Sequence, residues 1–224
     1  MSANLIALLY QASLQTLYMV AVSAILGTLG GLPLGVFLAT SQRGELLSAP
    51  MLNRVLGLVV NATRSVPFII LVVAIIPFTR MIAGTSIGTN AAIVPLTIAA
   101  IPFIARLVEN AIREVDAGLI EAARAMGATP FQIIRKVLIR EALPGIALGL
   151  TLAVVSLIGY SAMVGAVGGE GLGDLGIRYG YQRFMPDVML AVVVILIVLV
   201  QLVQSIGEWI AARFDKRAPR NRGH

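Results

Sequence analysis

Residues 116–144, DAGLIEAARAMGATPFQIIRKVLIREALP, form a polar island in a chain that is otherwise mostly hydrocarbon. Between Arg106 and Glu141 there are six cations (Arg106, Arg113, Arg124, Arg135, Lys136, Arg140) and five anions (Glu109, Glu114, Asp116, Glu121, Glu141). Apolar runs flank the island on both sides. Its local code is explicit. Asp116 is placed to cap a helix starting at Ala117. Leu119, Ile120, Ala123 and Met126 supply apolar contacts, and Gly127 is a natural stop. Thr129-Pro130-Phe131-Gln132 fits a capping box with proline at the first helical position. A second, amphipathic helix should follow over 130–140, with Phe131, Ile134, Val137 and Leu138 on its apolar side. Gln132, Arg135, Lys136 and Arg140 should be exposed. Pro144 should disturb the helix as it meets the next apolar run. An amphipathic helix lying on a membrane surface explains the basic stripe. It does not explain two capped helices around a glycine turn.

Outward from the island, composition sets the class. The 224 residues are 58% hydrophobic and 12% charged, with mean hydropathy +0.92. Soluble domains carry about 25% charged residues, so an all-α polytopic membrane protein is expected. The net charge of +6 raises nucleic acid as a partner, but the cations sit between apolar runs and in the tail, so none is expected. With no cysteine there is no disulfide and no thiolate metal site. The one histidine, His224, is the last residue and ill placed for catalysis.

Five spans are expected, at about 14–40, 55–79, 89–105, 145–167 and 188–206, within a membrane domain of 14–207. Residues 1–42 hold no charged side chain, which exceeds the roughly 20 residues a span needs. They read as an interfacial segment over 1–13, then a span bent by its glycines and Pro33. A cleaved signal peptide would need a basic start and a shorter apolar run. Pro67 and Pro77 should bend or interrupt the second span, with Arg64 snorkelling from near its start. Pro95 and Pro102 lie inside the third. Ser65-Val66-Pro67-Phe68-Ile69 and Ala100-Ile101-Pro102-Phe103-Ile104 echo each other, which chance explains as well as an internal repeat. Residues 208–224 form a basic tail. Loops on the island's side of the membrane hold fourteen of the seventeen cations. The positive-inside rule then puts the island, region 106–144, and the C-terminus in the cytoplasm and the N-terminus outside.

Catalytic signals are absent. Residues 171–176, GLGDLG, match G-x-G-x-x-G but follow no strand, so they read as a flexible external turn. No P-loop and no metal-ligand spacing occurs. The span cores show no Asp, Glu, His, Lys or Arg, which weakens an ion-driven transporter reading. On the fourth span Ser156, Tyr160 and Met163 recur at i, i+4, i+7 and share a side. They either line a path for a small solute or serve helix packing, with hydroxyls bonded to backbone carbonyls.

Glu121-Ala122-Ala123, three residues, then Gly127 resembles the EAA motif, E-A-A-x-x-x-G followed nine residues later by I-x-L-P. That motif marks the permeases of binding-protein-dependent ABC importers. The chain departs at the far end, with Val137, Ile139 and Arg140 in place of Ile, Leu and Pro. Leu143-Pro144 is the alternative place for the bend. NATRSVPFIILVVAIIPFTRMIAGTSIG (61–88), AAIVPLTIAAIPFIARLVENA (91–111), GLIEAARAMGATPFQIIRKVL (118–138) and IGYSAMVGAVGGEGLG (158–173) look like the methionine importer family. The resemblance implies a homodimeric permease with no cofactor of its own. It implies two ATP-binding subunits that hold ATP and Mg, and an external lipoprotein that delivers the amino acid. By the same resemblance Glu121, Ala122, Ala123 and Gly127 are ATPase-coupling residues, and Met163 a gate. The competing expectations are a permease for another small polar solute, a stand-alone secondary transporter or channel, and a scaffold that only recruits a partner.

Overall fold

The computed structural model describes residues 3–42 and 46–214, and among these every regular element is helical. In order they are α1 (Ala3–Thr40), α2 (Pro50–Ser65), α3 (Phe68–Ala74), α4 (Ile76–Ala83), α5 (Thr89–Arg113), α6 (Ala117–Ala125) and α7 (Pro130–Ile133). A π-helical turn (Ile134–Leu138) leads into α8 (Ile139–Gly165). Then come α9 (Gly171–Leu175), a second π-helical turn (Gly176–Tyr181) and α10 (Pro186–Phe214). Four helices are long and apolar enough to cross a membrane, and a fifth span arises if the bent pair α2–α3 is counted as one. Of the expected basic tail, Lys216, Arg217, Arg220 and Arg222 lie outside the described residues, as do Arg43 and Glu45.

The bundle is built on the seam between α1 and α5. Two apolar helices in lipid gain little from the hydrophobic effect and associate through close packing, which small residues permit. Gly27, Gly31 and Gly35 repeat every four residues along α1 and face α5. A Cβ at Gly31 would stand 2.8 Å from the Ile101 carbonyl oxygen. The glycines thus serve contact, and no helix break separates residues 3–13 from the first span: α1 is one helix of 38 residues. Pro33 lies inside it without ending it. Its early turns are held by packing, with Leu9 and Ala12 buried against Leu172, Leu175, Val188 and Val192. Met19 of α1 and Leu96, Ile104 and Val108 of α5 are buried in a core that also takes in Ala153 and Leu157 of α8. Outward faces stay apolar, as a lipid-facing surface requires; Leu29 and Leu190 are more than half exposed.

The second span is interrupted, as its prolines suggest: α2, α3 and α4 replace one helix over 55–79, and α2 and α3 meet at 101°. Pro67 forms the corner: it lacks a donor and holds Val66 in extended backbone. Arg64 lies in the last turn of α2, not near the start of a span. The third span continues past Ala105 to Arg113, so Arg106, Glu109 and Arg113 belong to α5 rather than to a loop.

The glycine-rich stretch before the last span is not a flexible turn. Gly171, Leu172, Leu175, Gly176 and Gly180 are buried. Gly173 and Gly165 press backbone against backbone, leaving no room for a Cβ at either. GLGDLG is therefore a tight packing segment against α1, α8 and α10, and its glycines are there for close approach.

Candidate functional site

Both island helices close as their sequence dictates. The Asp116 carboxylate accepts from the Gly118 N–H at 2.7 Å, capping α6. The far end is a Schellman arrangement: Gly127 has φ +77°, its N–H donates to the Arg124 carbonyl and the Ala128 N–H to the Ala123 carbonyl. The capping box follows at once. The Thr129 N–H donates to Gln132 Oε1 at 3.0 Å, and the Gln132 N–H to Thr129 Oγ1 at 3.4 Å. Backbone groups on both sides of Gly127 are thus satisfied locally, which stiffens the turn.

The helix that starts at Pro130 does not end in the island. It passes through the π-helical turn at Ile134–Leu138 and continues as α8, so 130–165 is one span-length helix. The expected break near Arg140 or Pro144 is absent. The irregularity sits earlier, where one extra residue per turn is accommodated. A displacement of the Gly127 turn therefore acts on the same rod that crosses the membrane.

The predicted island residues divide. Glu121, Ala122 and Gly127 are exposed, whereas Ala123 is 4% exposed and packs inward on the core. Met126 and Phe131, expected as internal contacts, are 81% and 69% exposed. Ile133, Ile134 and Leu138 fill the interior in their place. The surface around Gly127 thus carries two large apolar side chains beside small ones.

Beneath it lies a buried carboxylate. Glu109, 3% exposed, receives Arg106 at 2.7 Å and Arg113 at 2.6 Å from its own helix. Arg106 also donates to Asn61 Oδ1 at 2.6 Å, tying α5 to α2. Glu109→Ala should cost about 2 kcal/mol. That is below the roughly 3–5 kcal/mol for breaking a fully buried pair, because both arginines are partly exposed. Thermal unfolding of the purified chain checks this: a lower midpoint is expected, and an unchanged one would contradict the tie.

The α8 stripe is only partly assembled. Ser156 Oγ donates to the Leu152 carbonyl at 2.9 Å, and Met163 is exposed. Tyr160 instead stacks on Phe68, with centroids 4.3 Å apart and planes 12° from parallel. It lines a cavity of about 140 Å³ with Thr63, Arg64, Val66, Phe68, Leu71, Ala99 and Phe103. Ser156 and Met163 do not.

At the end of the bundle opposite the island, sequence reading missed a cluster around Glu170. Its carboxylate accepts from Gln15 Nε2 at 2.8 Å and from Thr89 Oγ1 at 2.5 Å. Thr16 Oγ1 accepts from the Leu172 N–H at 2.9 Å. Three distant segments are joined there. The available signal was Gln15-Thr16, a polar pair within an uncharged, largely apolar run.

The sequence profile described as "Binding-protein-dependent transport system inner membrane component" matches residues 31–218. A probable D-methionine transport system permease protein MetI of Vibrio cholerae is 59% identical over 210 residues, covering 94% of this chain and 93% of that protein. The corresponding protein of Pasteurella multocida is 48% identical over 206 residues, covering 92% and 95%. Among solved structures, an inward-facing MetNI methionine ABC transporter contains a chain 51% identical to this one. It superposes with TM-score 0.94 over 96% of this chain and 100% of that chain. By sequence match, helix layout and superposition, the chain belongs to the family of binding-protein-dependent transport system inner membrane components, multi-pass proteins of the bacterial inner membrane.

Proposed function

We propose that the chain is the permease subunit of an ATP-driven methionine importer and works as a homodimer with two ATP-binding subunits. ATP and Mg are held by those subunits, and an external lipoprotein presents the amino acid. The names of the relatives and the 0.94 superposition on a methionine transporter chain support this reading. The observation that carries it is the rigid turn at Gly127, closed on both sides by hydrogen bonds and continuous with the span-length helix 130–165.

On this reading the island faces the cytoplasm and the N-terminus lies outside, in accord with the fourteen cations on the island's side. Glu121, Ala122 and Gly127 form the docking face, joined by the exposed Met126 and Phe131. Ala123 acts from below, holding α6 to the core. When the ATP-binding subunits close on each other, the docked turn moves with them. Helix 130–165 carries that motion to Ser156, Tyr160 and Met163, which line and gate the solute path. Glycine seams and the broken α2–α3 pair let the bundle rearrange between two packings.

Substrate choice is tested by reconstituting permease, ATPase and binding protein in proteoliposomes with ATP on the island's side. Uptake of labelled methionine should be suppressed by unlabelled D- or L-methionine and little affected by other amino acids. Equal competition by leucine or glutamine would overturn the methionine assignment.

A further inference from the structure

The cavity beside Tyr160 holds an uncompensated cation. Arg64 makes no ion pair with any described carboxylate, and its guanidinium carbon lies 5.7 Å from the centroid of the Phe103 ring. Phe103 sits one helical turn further into α5 than Arg106, the first residue of the island's charge cluster. Arg64 is itself exposed and lines the cavity; a guanidinium beside apolar spans is costly unless it lines a cavity or meets an anion, and such a group marks a solute path by default. Tyr160 is half-buried, its ring is fixed by Phe68, and its side chain lines the cavity. The Thr63 hydroxyl donates to the Val59 carbonyl at 2.9 Å, leaving its lone pairs to accept. Leu71, Ala99, Phe68 and Phe103 make the rest of the wall apolar. The two aromatic residues come from the two echoing segments, 65–69 and 100–104.

We propose that this cavity is an intramembrane subsite for a small α-amino acid, with its carboxylate on Arg64 and its apolar side chain against Phe68 and Leu71. The inference rests on the permease reading and deepens it. Arg64 presents paired N–H donors in the fork that a carboxylate fits. Tyr160 donates a further hydrogen bond, and the ring faces with Thr63 Oγ1 receive the ammonium group. A thioether side chain suits the aromatic wall. The volume of about 140 Å³ is below the roughly 300–1,000 Å³ of sites that enclose drug-sized ligands, which fits transient passage of one small solute.

The test uses the permease–ATPase complex in phosphatidylcholine nanodiscs, without the binding protein, labelled by photo-methionine. Peptides bearing Phe68, Phe103 or Tyr160 should carry the label. Methionine should displace it and methionine methyl ester, which lacks the carboxylate charge, should not. Arg64→Gln should weaken labelling about tenfold or more, the size of one lost charge-assisted hydrogen bond, and Arg64→Lys should retain most of it. Tyr160→Phe, which keeps the stack, should weaken it severalfold. Label elsewhere, equal displacement by the ester, or wild-type labelling in Arg64→Gln would overturn the subsite. If Arg64→Gln fails to assemble, ester competition and Tyr160→Phe decide. Displacement by added phosphatidylglycerol but not by methionine would identify a lipid-phosphate site and also overturn it. Uptake by the complete wild-type transporter is read in parallel. ATP-dependent uptake without label at the cavity sinks the subsite alone, whereas absence of uptake sinks the permease reading.

Discussion

Gly127→Arg is expected to abolish ATP-driven uptake while leaving a folded, membrane-inserted protein. Glycine at this position has φ +77°, which costs another residue about 1–2 kcal/mol. Nothing stands within 4 Å of where a Cβ would be, so the arginine side chain has room within this chain. What it removes is close seating of the turn against a partner. A lost docking free energy of about 3 kcal/mol would lower occupancy roughly a hundredfold. Gly127→Ala separates the causes, since it carries the same backbone strain with little bulk. Uptake in proteoliposomes and co-purification of the ATPase should both be lost in the arginine variant and largely kept in the alanine variant. Equal loss in both would place the defect in the turn itself. Unchanged uptake and co-purification in both would remove Gly127 from the docking face.

Gly31→Leu should have the largest effect on the fold. Already at Cβ the new side chain would lie 2.8 Å from the Ile101 carbonyl oxygen and from Ile104 Cβ, and three further carbons would follow. Overpacking of one or two methylenes costs about 1–3 kcal/mol. Here the main helix–helix seam must open along its length, so about 5 kcal/mol or more is expected, comparable with the whole stability of a marginal fold. Gly57→Ala is the control, because nothing lies within 4 Å of its Cβ position and alanine favours a helix by up to about 1 kcal/mol. Size-exclusion chromatography of detergent extracts should give a monodisperse peak for Gly57→Ala and aggregate or no protein for Gly31→Leu. A monodisperse Gly31→Leu protein would contradict the seam.

Local chemistry was legible in the sequence wherever it was coded by neighbours. Asp116, Gly127 and the Thr129–Gln132 box behave as their types and spacing dictate, because a cap needs only residues three or four apart. The existence of the spans was equally legible from uninterrupted apolar length. What the chain hid depends on tertiary partners. Pro67 turns the backbone through 101°, as expected of it, whereas Pro144, expected to disturb its helix, stays within α8 as Pro95 and Pro102 do within α5; the residue type is the same, and packing on α5 and α8 holds those helices together. The glycines of α1 read as small-sided, but the partner that their small side meets, α5, was not visible in the sequence. GLGDLG read as a loop for want of a visible partner, which α8 supplies at Gly165. Charge also misled. Counting Arg64 with its side of the membrane was reasonable for topology, yet the corner at Pro67 carries it to Phe103 and Tyr160. Met126, expected inside with Ala123, stands outside, because a nine-residue helix on a support has no strong periodicity to declare its face.

The central claim is that the island couples this chain to a separate motor. Its most direct measurement is methionine uptake into proteoliposomes containing either the chain alone or the complete complex, each with and without ATP. Uptake only by the complete complex, and only with ATP, is the predicted result. Uptake by the chain alone, driven by an ion gradient and indifferent to ATP, would contradict it.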